Sequence, residues 1–571
     1  MFQYRTFLSV IFCVLFFALT AEAQHGTRSG FRSPLDIPLN LSGNFGEFRS
    51  NHFHTGLDIK TQGRTGLPVY AIAEGHISRI KISSYGYGTV IYVDHPNGYT
   101  SVYAHLSKLN DKIEDFLRDA QYELESWEVD LYPGVGLIPI DSSEVIAWTG
   151  NSGSSGGPHL HFEIRETESE FPVNPLLWDF PVADSRAPAL RGIQVVPLED
   201  SSQVMGTHRS QLIATNGTSG KVSLTRKGPI PVYGPVGVGV HTIDQLDNNS
   251  NICGIFRLEV FLDNELLFEE KLEQLDFATN RFMNAHMDFA TMKQEKKSIH
   301  RTFRLPYNRL PIYRTVKNNG RIELPDNQIH SVLVKVYDVH GNTSEVSFDL
   351  QQVDEPNASA ESGSLKPSGA RRCAFDKVNT IRTEGCNLFI PEGRLYDDAY
   401  VWINEVRGGP LSVKSPYFEV GNRFEPVHDE MILKINAEDV PDSLVDKLMI
   451  LQYNPGKKRY YNRGGSYKIG WVNARVKAFG TYVVGMDTVP PVIKTRKATR
   501  KDLSFTITDD LSGIDHWEAR VDGKWIRMHF DHKKARLWYK SEDGIIDEES
   551  KYLLLRVWDE RGNVAETEVS F

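Results

Sequence analysis

The chain has 571 residues, a formal net charge of −10, 40% hydrophobic and 24% charged residues. At roughly 100–200 residues per domain this predicts three to five globular domains of ordinary composition. The acidic balance and the lack of a long basic stretch exclude nucleic-acid binding as the organising function.

The N-terminus has one basic residue, Arg5, an apolar run from Phe7 to Leu19, and then Ala21-Glu22-Ala23. That order predicts a signal peptide over 1–23. The apolar run is shorter than the roughly 20 residues needed to span a bilayer, and no later segment is apolar enough to do so. The expected product is therefore an exported protein without a stable membrane span. Cys253, Cys373 and Cys386 follow this segment. An odd count rules out a disulfide-built scaffold; one bridge, Cys373 to Cys386, is open, with the third thiol buried.

From Gly43 to about Glu166, short β-type runs alternate with glycine: Val69–Ala73, His76–Ile82, Thr89–Val93, Thr100–Ala104, Val145–Trp148 and Leu160–Ile164. They predict a mostly antiparallel sheet. One helix interrupts them over about 109–127, where Ile113, Phe116, Leu117, Ala120, Leu124 and Trp127 recur at three- and four-residue steps. Its apolar stripe is expected to pack on the sheet.

Downstream, Val336-Tyr-Asp338-Val-His-Gly341-Asn342 matches Val557-Trp-Asp559-Glu-Arg-Gly562-Asn563. Asp244 and Gly254-Ile255 are echoed by Asp509 and Gly513-Ile514, and Asp263-Asn264 by Asp522-Gly523. Two copies of one β-sandwich, over 186–352 and 488–571, account for the repeat; on these turn motifs they resemble bacterial immunoglobulin-like modules. Residues 353–371, rich in Ser, Gly, Glu, Pro and Ala, predict a flexible linker. Residues 372–485 predict a further β-rich domain with no chemical motif.

Three segments carry candidate chemistry. Phe53-His54-Thr-Gly56-Leu-Asp58 has a His-x-x-x-Asp pair that, if extended, points both side chains to one side. His159-Leu160-His161 does the same for two imidazoles, and Tyr103-Ala-His105-Leu106 ends a strand. Imidazole and carboxylate together suit zinc, and a catalytic zinc uses three protein ligands with one position open. No His-Glu-x-x-His helix is present, which excludes thermolysin-like and metzincin chemistry. The Gly150–Gly157 run lacks the Lys-Ser/Thr ending of a phosphate loop and reads as a tight turn before His159.

In this order and spacing, the segments from about Gly43 to Arg165 resemble the lysostaphin/LytM-type zinc endopeptidases of bacterial cell walls. The resemblance implies a zinc metallopeptidase domain over 24–183 with His54, Asp58 and His161 as ligands to one Zn2+ per chain. It implies His159 as general base and His105 as hydrogen-bond donor to the oxyanion. It further implies peptidoglycan peptides as substrate, in the periplasm, the cell envelope or outside the cell, with the β-sandwich modules as spacers or as contacts to an envelope partner. A catalytically silent regulator of other wall hydrolases, or a structural surface protein, is the alternative. Glu163 is either an orienting partner of a zinc-ligand imidazole or a surface acid at a strand end, and His52 falls outside the motif's spacing. The predicted fold class is thus mainly β: an antiparallel peptidase sheet with one inserted helix, then three β-rich modules, at least two of them immunoglobulin-like.

Overall fold

The computed structural model describes residues 28–358, 367–406 and 414–571. The expected signal peptide and the centre of the expected linker lie outside these residues. No helix among the described residues is long and apolar enough to cross a membrane.

The protein is mainly β. In the first domain, strands Leu41–Gly43, Leu57–Lys60, His159–Glu166, Tyr99–Ala104, Thr89–Asp94, Gly75–Ile82 and Val129–Leu131 follow one another across a single antiparallel sheet. Alternation along His159–Glu166 drives Leu160, Phe162 and Ile164 into the core and leaves His161 on the opposite face. A smaller sheet of Pro68–Tyr70, Val145–Trp148 and Lys108–Leu109 closes that core.

The helix is shorter than its apolar spacing predicts, running Asp111–Glu123. Asn110 caps it by accepting from the Ile113 amide at 3.1 Å. Ile113 and Leu117 reach the core as expected, whereas Leu124, beyond the last turn, is exposed. The helix's polar side is not left to solvent. Arg527 of the C-terminal module is buried against it, donating to Glu114 at 3.0 Å and to Gln121 at 2.9 Å, while Tyr122 donates to Asp543 at 3.0 Å.

Residues 189–352 form one twelve-stranded sheet, ten strands on a continuous path and two beside it, rather than two separate sheets, because Lys221–Leu224 pairs in parallel with Thr343–Gln352. An insertion carries the short helices Met283–His286 and Phe289–Glu295, which its sequence did not announce. It packs on the peptidase domain: Phe45 and Phe53 share a core with Leu272, Phe282 and Met283. Residues 372–486 form two five-stranded sheets around one core, and 492–570 two four-stranded sheets around another. The repeated turns coincide atom for atom: Asn342 donates to both carboxylate oxygens of Asp338 at 2.9 and 2.7 Å, and Asn563 does the same to Asp559. Cys253, Cys373 and Cys386 are all free and buried, so the bridge left open between Cys373 and Cys386 does not form.

Candidate metal centre

Cross-strand register builds the site. Asp58 lies directly opposite His161 on the antiparallel pair Leu57–Lys60 and His159–Glu166, and the Asp58 Oδ1 to His161 Nδ1 distance is 2.9 Å. Gly56 makes the approach possible, because a Cβ there would strike the Phe162 carbonyl. His54 departs from the extended reading. It precedes the strand, in a loop held by amide-to-carbonyl bonds between His54 and Glu47 and between Gly46 and His54. Even so, its Nε2 stands 3.1 Å from both His161 Nδ1 and Asp58 Oδ1. Three donor atoms therefore converge on one point.

Each donor is oriented from behind. His54 Nδ1 donates to the Asn44 carbonyl at 2.8 Å, which leaves Nε2 with its lone pair. His161 Nε2 donates to Glu163 Oε1 at 2.7 Å, which frees Nδ1. Glu163 is fully buried and also accepts from Thr55 at 2.7 Å, Tyr87 and Arg165 at 2.7 Å. Of its two open readings, the orienting partner is therefore the one realised. Arg49 donates to Asp58 Oδ2 at 2.7 Å, turning Oδ1 toward the imidazoles.

The local charges follow. Burial opposes ionisation of Asp58, but the three imidazoles around it outweigh that and hold its carboxyl well below the usual range. Burial likewise disfavours a charged His161, yet the hydrogen bonds that its ring donates to the Asp58 and Glu163 carboxylates overcome it and carry its pKa up to about 9. For His54, burial wins and the pKa falls. Two imidazoles and a carboxylate with lone pairs aimed at a common centre are the N/N/O donor set that binds zinc. His54, Asp58 and His161 therefore fit a zinc ion.

His105 and His159 flank this centre. His105 ends the strand Tyr99–Ala104 in the left-handed region, with φ 61°, and its Nδ1 donates to the Ser152 carbonyl at 2.9 Å. His159 Nδ1 donates to the Gly157 carbonyl at 2.9 Å, and its Nε2 is 3.4 Å from Asp58 Oδ1. The glycine-rich run thus has a positional role, since it supplies both carbonyls that set the imidazole tautomers. It reaches them by interlocking with the 83–88 loop, where a Cβ on Gly88 or Gly153 would collide with the facing backbone. Burial first, and then the neighbouring His161 and His159, push the His105 pKa down to about 3. His52 is exposed and outside the donor cluster.

Sequence reasoning missed Asn44, Arg49, Tyr87 and Arg165. Arg165 was legible, being the next same-face residue after His161 and Glu163. Arg49 lies in an irregular loop and gave no periodic signal.

Three convergent N/O donors with two further imidazoles beside them make up a donor set for a metal ion. Residues 52–122 match the family described as Peptidase family M23, and the chain carries a peptidase M23 domain. Residues 370–487 match a Zu5-like domain. The chain is 34% identical over 123 residues to the DD-carboxypeptidase/endopeptidase Mpg of Neisseria meningitidis serogroup B, covering 22% of each protein. It is 29% identical over 127 residues to lysostaphin of Staphylococcus simulans, covering 22% of this chain and 19% of that protein. The crystallised catalytic domain of that lysostaphin is 26% identical, with 23% of this chain and 86% of that one covered and a TM-score of 0.18. The chain spans about a fifth of the length of these curated relatives.

Proposed function

We propose that the protein is an exported zinc-dependent endopeptidase that hydrolyses peptide bonds of bacterial peptidoglycan. One observation carries this reading: His54 Nε2, Asp58 Oδ1 and His161 Nδ1 lie within 3.1 Å of one another, beside two imidazoles whose Nδ1 protons are already given to carbonyls. The names of relatives support this reading: Mpg is named a DD-carboxypeptidase/endopeptidase, and ShyA of Vibrio cholerae, 25% identical over 189 residues, a peptidoglycan DD-endopeptidase.

When bound, zinc supplies the positive charge that polarises the scissile carbonyl and acidifies the attacking water. The chain's own residues do the rest. His159, with Nδ1–H fixed on Gly157, presents Nε2 as the base that takes the water's proton. His105 is assigned to the oxyanion, with one restriction set by its geometry. Because its Nδ1–H is committed to Ser152, it donates from Nε2 as an imidazolium, the form that a neighbouring oxyanion favours. Glu163 and Arg49 hold His161 and Asp58 in place.

The test is mass spectrometry of purified peptidoglycan after incubation with the mature protein, with and without chelator. New chelator-sensitive peptide termini are expected and would name the bond. Intact peptidoglycan from a zinc-loaded protein would overturn the reading in favour of a silent regulator.

A further inference from the structure

A second cluster of the same chemistry lies in the 189–352 module, separate from the His54/Asp58/His161 donors. Glu270 Oε1 is 2.9 Å from His300 Nδ1, Glu270 Oε2 is 3.1 Å from His286 Nε2, and the two ring nitrogens are 3.1 Å apart. These are the edge lengths of the His54/Asp58/His161 triangle. Glu270 and His286 are fully buried and His300 is 3% exposed.

As a plain hydrogen-bond network the cluster does not balance. If His300 Nδ1 carries the proton and gives it to Glu270 Oε1, then His286 Nε2 faces that same N–H with nothing left to accept. Glu270 Oε2 then has no donor, and it is indeed a buried oxygen without a hydrogen bond. If both ring nitrogens carry protons, each reaches its own Glu270 oxygen, but the two N–H groups then stand 3.1 Å from each other. The first arrangement leaves a buried oxygen unsatisfied, at a cost of about 1–3 kcal/mol, and the second presses two donors together. A divalent cation meets both nitrogen lone pairs and both carboxylate oxygens at once.

The surroundings suit such an ion. Tyr313 OH lies 3.2 Å from His286 Nδ1 and accepts from Asn308 Nδ2 at 2.7 Å; a ring whose Nδ1–H donates to that phenol has its Nε2 lone pair free to bind metal. Phe48 covers His300, with ring centroids 4.4 Å apart, and Phe53 lies against His286 at 5.9 Å. The site is thereby sealed from water and closed to substrate.

We propose that Glu270, His286 and His300 bind a second zinc-type ion, buried and structural, that ties the 189–352 module to the segment carrying His54. Glu270 and His300 belong to strands near opposite ends of the ten-stranded path through that sheet, so the ion clasps the sheet across its open seam. It also sits directly behind Phe48 and Phe53, whose backbone Asn280 grips at Phe53 N and O with distances of 2.7 and 3.0 Å. The donor set of two imidazoles and a carboxylate selects zinc or a similar first-row ion over calcium or magnesium.

The test is metal content of the full-length chain carrying His161→Ala, which removes a ligand of the first centre, in calcium-containing buffer that fills any all-oxygen site. One tightly held zinc per chain is expected, and cobalt(II) put in its place should show the visible bands and X-ray absorption of two imidazole ligands. Glu270→Gln in that background keeps the side-chain shape and should lose the ion. A folded His161→Ala chain without zinc overturns the proposal, and so does retained zinc that is insensitive to Glu270→Gln or lacks imidazole ligation. None of these readouts depends on peptidase activity.

Discussion

The two buried triads, His54/Asp58/His161 and Glu270/His286/His300, share donor types and spacing but differ in their surroundings. The first has His105 and His159 beside it and rests on loops whose carbonyls leave both Nε2 atoms available. The second is capped by Phe48 and Phe53. A metal-type donor set is therefore not enough for catalysis. What separates a reactive centre from a structural one is the supply of proton carriers and the access that surrounding loops allow.

The largest expected effect separates ligand from proton carrier within the first centre. His161→Ala removes a converging donor and should abolish hydrolysis together with zinc at that centre. His105→Ala should keep the zinc while the rate falls about 10²–10⁴-fold. Peptide release and metal content measured on both variants check this. Equal zinc loss in the two would show that His105 is a ligand and that the division of roles is wrong.

Next comes separation of the peptidase domain from its modules. The residues proposed for catalysis all lie before residue 166, yet Phe45 and Phe53, at 1% and 0% exposure, are buried against Leu272, Phe282 and Met283. Exposing each costs about 2–3 kcal/mol, and Phe53 is the neighbour of His54. A fragment ending at residue 183 is expected to melt below the full chain and to cleave soluble wall fragments more slowly, without losing cleavage altogether. Unchanged melting and rate would mean that the contact between module and site is energetically idle.

A smaller effect is expected at Glu163. Replacing it by Gln keeps the shape but removes the charge that Arg165, Thr55 and Tyr87 hold against His161. Zinc affinity at the first centre should fall about 10–100-fold, as read by competition with a chromogenic chelator.

These comparisons also show how far the sequence was legible. Strands of the peptidase sheet stood out because alternation with glycine turns is local, and His54, Asp58, His105, His159 and His161 stood out because they sit in short motifs. Glu270, His286 and His300 are 14 to 30 residues apart and lie on a strand, a short helix and another strand. No period links them; only sheet closure does. The polar face of the helix Asp111–Glu123 looked like a solvated surface for the same reason, because its partner Arg527 comes from the far end of the chain. Asn110 at the cap was readable, whereas the destination of Glu114 was not.

A carboxylate-rich cluster gives the last contrast. Asp184, Asp244 and Asp338 crowd together at the first repeat copy, with the His340 imidazole 3.7 Å from Asp184 at their edge, and Asp487, Asp509 and Asp559 crowd together in the second. One exposed imidazole does not offset three carboxylates, so burial, followed by the charges of Asp184 and Asp338, pushes the Asp244 pKa up to about 8. The folded state then holds this proton more tightly than the unfolded chain, where the ordinary value is 3.8. Stability from this group is therefore full below pH ~4 and is lost as pH rises toward about 8. Asp244→Asn keeps the side-chain size without the charge, so in chelator it should remove part of the decline and leave the chain about 1–2 kcal/mol more stable than wild type at pH ~8. Thermal melts across that range measure the difference. Identical slopes for the two proteins would mean that Asp244 stays ionised in the fold, its charge met by His340 or by a bound cation.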